Sequence, residues 1–147
     1  MEDREIKFRA WDKEKKIMFQ WDELSVDSYG ASTSNDYSKD DNADYVLNQN
    51  AILMQFTGLL DKNGREIYQN DIAMVKERED GSAQIGVVEW DTSEARFFIH
   101  VKTYRVNMWY GFESLCIEED GMFTDKYDIR VIGNIYENPE LSKLITK

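Results

Sequence analysis

Few side chains in this 147-residue chain are suited to covalent or metal chemistry, and their scarcity is informative. His100 is the single histidine and Cys116 the single cysteine, so one chain cannot assemble the usual zinc ligand sets of histidine and cysteine. His100 lies in ARFFIHVKTY, in alternation with Phe98 and Lys102 on a strand. A histidine-dependent hydrolase needs a positioned partner, and the sequence assigns none. Cys116 reads as an ordinary thiol and, being alone, forms no internal disulfide.

Carboxylates are more numerous. Asp12, Glu14, Lys15 and Lys16 faintly resemble a nuclease acidic pair with a lysine, but they occupy a predicted hairpin turn, where solvated charge is the default. Asp36, Ser38, Asp40, Asn42 and Asp44 place oxygen at alternate positions, as a calcium loop does. That loop also needs glycine at its sixth position and a bidentate glutamate at its twelfth, and Asp41 and Leu47 stand there instead. Gly81 and Gly86 have the spacing of a phosphate loop, whereas Val87 and Val88 replace the required lysine and hydroxyl residue. The Trp-Asp pairs beginning at residues 11, 21 and 90 lack the period of a propeller repeat. The sequence therefore offers no catalytic, cofactor-binding or metal-binding residues.

The formal net charge is −11, and it is concentrated. Residues 22–50 carry seven acidic groups and one basic group, while residues 1–21 hold five acidic and six basic. Binding to a nucleic-acid backbone draws on lysines and arginines that displace counterions, and only Lys13, Lys15 and Lys16 form a small local group. Direct nucleic-acid binding is thus disfavoured. MEDREIKFRAWD lacks the apolar core of a secretory signal, and no run approaches the roughly 20 apolar residues of a membrane span. A cytoplasmic protein is expected.

The elements that would hold any site read mostly as strands. IKFRAWD alternates Ile6, Phe8 and Ala10 against Lys7, Arg9 and Trp11, predicting a half-buried strand; KIMFQWDEL, with Ile17, Phe19 and Trp21, pairs with it as an N-terminal hairpin over 1–24. Residues 25–50 open with a tract rich in Ser, Asn, Asp and Gly and predict a long acidic loop outside the core. The barrel core and C-terminal helix are expected over 51–147. There, Asp61-Lys62-Asn63-Gly64 is a turn in which Asn63 and Gly64 tolerate positive φ. A second turn follows at Gln69-Asn70-Asp71, with Asn70 suited to left-handed backbone and Asp71 to binding backbone amides. DIAMVKE, IGVVEWD and ARFFIHVKTY make a meander. NMWYGFESLCIEEDG reads as either a short helix or a strand. YDIRVIGNIYE is a strand with Ile129, Val131, Gly133 and Ile135 on one face, Gly133 marking a bulge or close approach. Asn138 and Pro139 then start a helix, as N-cap and first position, that runs to about Thr146. The expected fold is a single mainly β domain, a small SH3-like, partly open barrel, with a sandwich or an open sheet on a helix as the alternatives.

KFRAWD, QFTGLLDKNGREIYQNDI, GVVEW and VIGNIYENPEL, in this order and spacing, resemble the YopX family, small proteins encoded by bacteriophages and prophages. The likeness covers both ends and the middle, while residues 25–50 and 103–126 match no motif. The family pattern Glu-Gly-Asp-Ile stands here as Gln69-Asn70-Asp71-Ile72, and asparagine is the nearest substitute for glycine at positive φ. The resemblance implies a phage-derived protein in a bacterial cytoplasm with a mainly β fold. It implies no mechanism, since the family carries no assigned activity or catalytic residues.

Three function classes follow. The favoured one is a non-enzymatic binding or regulatory module with a host or phage protein partner, anchored by aromatic residues such as Trp90, Trp109 and Tyr110. The alternatives are an acidic mimic of DNA that occupies a basic host protein, and an enzyme whose carboxylates match no known pattern. A homo-oligomer is compatible with all three.

Overall fold

The structure, a computed structural model, describes residues 5–27, 30–34, 44–46, 51–77, 79–101, 109–111 and 127–145. The protein is mainly β, and its chain clusters into two compact units, residues 1–56 and 57–147.

In the first unit, β1 (Phe8–Asp12) pairs antiparallel with β2 (Ile17–Phe19) on one side and with the first half of β6 (Ala51–Leu60) on the other. Flanked by strands on both sides, β1 is more enclosed than its alternation suggests: Arg9, Ala10, Trp11 and Asp12 are all buried. Ala10 and Phe19 form the local core, with Leu24 and Ala51 packed against them. β1 and β2 form the N-terminal hairpin, but Trp21 does not extend it. The Gln20 amide donates to Glu23 Oε2 at 2.8 Å and the Glu23 amide to the Gln20 carbonyl at 3.0 Å, winding Trp21–Glu23 into a 3₁₀ turn. Trp21 is left 39% exposed, 6.1 Å from the Phe8 ring.

The 25–50 segment is not simply a loop. β3 (Leu24–Asp27), β4 (Gly30–Ser34) and β5 (Asp44–Val46) make an antiparallel three-stranded sheet in which Val26 faces Ala31 and Thr33 faces Tyr45. Sequence alternation is the signal of a buried face, whereas the ladder itself needs only backbone groups, and the Val, Thr and Tyr at these positions favour strands. The calcium-like loop lies outside the described residues except for Asp44.

The second unit takes over the end of β6, which neighbours β7 (Glu66–Tyr68), and adds a five-stranded antiparallel sheet. Its order is β11-β10-β9-β8-β12, from β8 (Asp71–Glu77), β9 (Ala83–Asp91), β10 (Arg96–Val101), β11 (Trp109–Gly111) and β12 (Tyr127–Asn134). The expected meander is β8-β9-β10. The segment left open between helix and strand contributes β11, while Cys116 lies outside the described residues. Ile67, Ala73, Val75, Val88, Phe97, Ile99, Val101 and Val131 form the core. β9 and β10 approach closely at Gly86, where a Cβ would sit 2.6 Å from the His100 carbonyl oxygen.

Two expectations for the C-terminal third change. The bulge expected at Gly133 is present, between Val131 and Gly133, and it breaks the single face of Ile129, Val131, Gly133 and Ile135: Asn134 pairs with Asp71 and Ile135 lies beyond the strand. The terminal helix, α1 (Pro139–Ser142), is only one turn long. Its neighbouring amides bond three residues back, Leu144 to Leu141 and Ile145 to Ser142, and the Ser142 hydroxyl donates to the Pro139 carbonyl at 2.7 Å. Asn138 precedes Pro139 but does not cap the helix with its side chain. Its Oδ1 accepts the Asn134 amide at 3.2 Å, closing the turn over Gly133, where any Cβ would strike the Asn138 side chain.

Candidate functional site

The carboxylates account for themselves first. At five chain reversals among the described residues an Asp or Asn side chain accepts the amide two residues ahead: Asp12 from Glu14, Asp61 from Asn63, Asp80 from Ser82, Asp91 from Ser93 and Asn134 from Tyr136. These are Asx turns, which substitute a side-chain oxygen for a backbone carbonyl. Part of the acidity is thus structural. The nuclease-like group illustrates it: Asp12 Oδ1 also takes the Lys15 amide, and Lys16 adopts φ 59°, so the quartet builds the β1–β2 turn. Asp80 and Asp91 are held below the ordinary carboxylate range, mainly by the hydroxyls of Ser82 and Ser93 and then by backbone amides.

Asp61 does more than turn the chain. Its Oδ1 accepts the amides of Asn63 and Arg65 at 2.8 and 2.9 Å, and its Oδ2 reaches across to the buried Val131 amide at 2.9 Å. Burial alone would raise its pKa. The three amides and the nearby Arg65 outweigh that, and the carboxyl is held below its ordinary value of 3.8. Next to it the Lys62 amide donates to the Ile129 carbonyl at 2.9 Å. Residues 129 and 131 lie on β12, an edge strand of the sheet, so the Asp61–Arg65 turn satisfies main-chain groups that an edge would otherwise present to another chain. Asn63 is exposed in this turn and Gly64 has φ 79°.

The next turn is fixed as firmly. Asn70 adopts φ 68°, its amide bonding the Val88 carbonyl and its carbonyl the Ile135 amide. Asp71, fully buried, accepts the Tyr68 amide on Oδ2 at 2.8 Å.

The Asp61 turn meets one face of β8 and β12. Register pairs Met74 with Arg130 and Lys76 with Asp128, so all four share a face of the sheet, and Lys62 is carried to it by the anchored turn. Lys62, Met74, Lys76, Asp128 and Arg130 line a concavity of 210 Å³. Lys62 Nζ lies 3.2 Å from Asp128 Oδ2. Lys76 and Arg130 occupy diagonal cross-strand positions, typically about 7–8 Å apart, within reach of one small anion. The concavity thus carries three cations and one anion in a chain of formal net charge −11. Positions 62, 76 and 130 share no motif in sequence, and only β8–β12 pairing together with the Asp61 turn brings them together.

The residues singled out as partner anchors do not converge on this face. Trp90, on β9, is 38% exposed and meets Phe97 edge-on at 4.8 Å. Trp109 and Tyr110 enter through backbone register alone, opposite His100 and Ile99. His100 does have a carboxylate neighbour: Glu89 Oε2 is 3.6 Å from its Nδ1, with both side chains about two-fifths exposed. A pair so exposed is screened by water and salt. No group of three or more potential metal ligands occurs among the described residues.

A strand-rich chain with an open five-stranded sheet and a stapled edge is the class of fold defined here. The YopX protein family profile matches residues 7–143, so the chain belongs to the YopX family. Two solved structures are similar. Protein EF1440 from Enterococcus faecalis is 26% identical, with a TM-score of 0.51 over 95% of this chain and 99% of that one. Protein yopX from Bacillus subtilis is 24% identical, with a TM-score of 0.53 over 92% and 96%, a likeness that shows the fold alone. No curated protein matches. No helix among the described residues is long and apolar enough to cross a membrane.

Proposed function

We propose that this YopX family member is a non-enzymatic protein-binding module that recognises an acidic segment of a partner protein through the concavity of Lys62, Lys76 and Arg130. The observation that carries the reading is the convergence of these three cations from the β6–β7 turn, β8 and β12 on one small site. Charge placed so locally on an acidic protein steers a complementary partner and excludes others. Phage or prophage origin and a place in the bacterial cytoplasm complete the proposal.

An enzymatic role finds less support. Asp12, Asp61, Asp71, Asp80 and Asp91 hold backbone amides, so these carboxylates serve the turns. The test is quantitative capture from bacterial lysate with the wild-type chain and with Lys76→Glu/Arg130→Glu. A protein partner retained by the first and lost by the second supports the reading. Equal retention by both places recognition elsewhere on the chain.

A further inference from the structure

We infer that the Lys62–Lys76–Arg130 concavity binds a phosphomonoester group; the inference rests on this face being the recognition surface. Charge selects the ligand class. Three cations and Asp128 leave a formal excess of two positive charges, which matches a phosphomonoester of about −1.5 to −2 at neutral pH better than a single carboxylate. Geometry agrees. Arg130 offers a planar fork suited to two oxygens of one anion, and Lys76 supplies a flexible point charge from the diagonal position. Lys62 contributes the third cation, its Nζ 3.2 Å from Asp128 Oδ2.

Size narrows the class further. Pockets for drug-sized ligands run to roughly 300–1,000 Å³, and this one, at 210 Å³, suits an oxyanion headgroup and the first atoms that carry it. A phosphorylated side chain of a partner is the macromolecular source that fits a non-enzymatic binder. A nucleic-acid strand would meet three cations on a chain of formal net charge −11, a poor start for counterion release.

The experiment is a set of amide chemical-shift titrations of the full chain. The probes are inorganic phosphate, a phosphoserine peptide, the same peptide with glutamate, and a single-stranded oligonucleotide of equal charge. Saturable shifts centred on residues 62, 74–76 and 128–130 are expected with phosphate and, more tightly, with the phosphopeptide. Arg130→Gln and Lys76→Gln should each weaken both by about tenfold or more, the loss of one charge-assisted hydrogen bond. Asp128→Asn should strengthen them, and Lys15→Gln, in the exposed β1–β2 turn, should change nothing. Because the second phosphate proton leaves near pH 6, affinity should rise between about pH 5 and 7.5 for the phosphopeptide and stay level for the glutamate peptide.

Binding of free phosphate without added affinity for the phosphopeptide would assign the site to the small anion and overturn the protein source. Glutamate-peptide binding that depends on Arg130, with no phosphate preference, would overturn the phosphate inference and leave the acidic-partner reading intact. Failure of every peptide, together with partner capture indifferent to Lys76→Glu/Arg130→Glu, would overturn both. Tightest binding to the oligonucleotide, with a steep salt dependence, would reassign the site to nucleic acid.

Discussion

Replacing Asp61 by asparagine probes the staple that both shields β12 and carries Lys62 to the candidate site. The amide keeps one oxygen for the Asn63 and Arg65 amides, but its NH₂ then faces the Val131 amide, donor against donor, where Oδ2 accepted at 2.9 Å. A hydrogen bond to a charged acceptor contributes about 1.5–3 kcal/mol, and an orphaned buried donor adds to the loss, so about 2–4 kcal/mol is expected. For a chain of this size that lowers the melting temperature by roughly 4–16 °C. Circular-dichroism melts would read it, with hydrogen exchange at the Val131 amide as the local check. Asp80→Asn is the control: Asp80 also builds an Asx turn, but at an exposed tip, and its loss should leave the melting temperature unchanged. The acid limit supplies a second signature. Asp61 has a lowered pKa in the folded state, so its stabilisation is fully present above the unfolded value near 3.8 and fades as pH falls through the folded value. The gap between wild type and Asp61→Asn should therefore narrow from pH 5 towards pH 2. Coincident melts at pH 7, or a gap that persists unchanged to pH 2, would refute the staple.

Other substitutions follow from backbone geometry. Asn70→Gly suits φ 68° but loses the Nδ2 bond to Tyr136 Oη at 3.2 Å, so it should stay within about 1 kcal/mol of wild type, whereas Asn70→Val should cost about 1–2 kcal/mol or more in urea titrations, because a β-branched residue resists left-handed backbone. Gly133→Ala drives a Cβ into the Asn138 side chain and should cost about 1–3 kcal/mol, with Gly133→Ala/Asn138→Ala recovering part of it in a double-mutant cycle. Gly86→Ala meets the His100 carbonyl at 2.6 Å, a backbone atom with little freedom to yield, and should destabilise the β9–β10 pair, seen as faster exchange of their ladder amides.

Local chemistry was the legible part of the fold. Asn63-Gly64 and Asn70 announce their turns because few residues accept positive φ, alternation announces β1, and strand-like runs announce the β8–β10 meander. Where alternation was absent, strands went unseen: β3, β4 and β5 pair through backbone groups without an apolar face to mark them in sequence. The bulge at Gly133 was legible as a glycine inside a strand, whereas Asn138 turning back to the Asn134 amide instead of capping α1 is a choice between two uses of one side chain that sequence alone does not decide. Asp61 was legible as a turn residue and silent as a staple, since its partner Val131 lies 70 positions away. The candidate site was the least legible of all. Lys62, Lys76 and Arg130 look like scattered surface charge until the register of β8 with β12 sets two of them diagonally and the stapled turn delivers the third.

The most direct test of the recognition surface compares wild type with Lys76→Glu/Arg130→Glu, matched by their melting curves, in quantitative capture from bacterial lysate. A stoichiometric protein partner is expected on the wild type, weakened by salt and absent from the folded variant. The same partner held equally by both chains would contradict it.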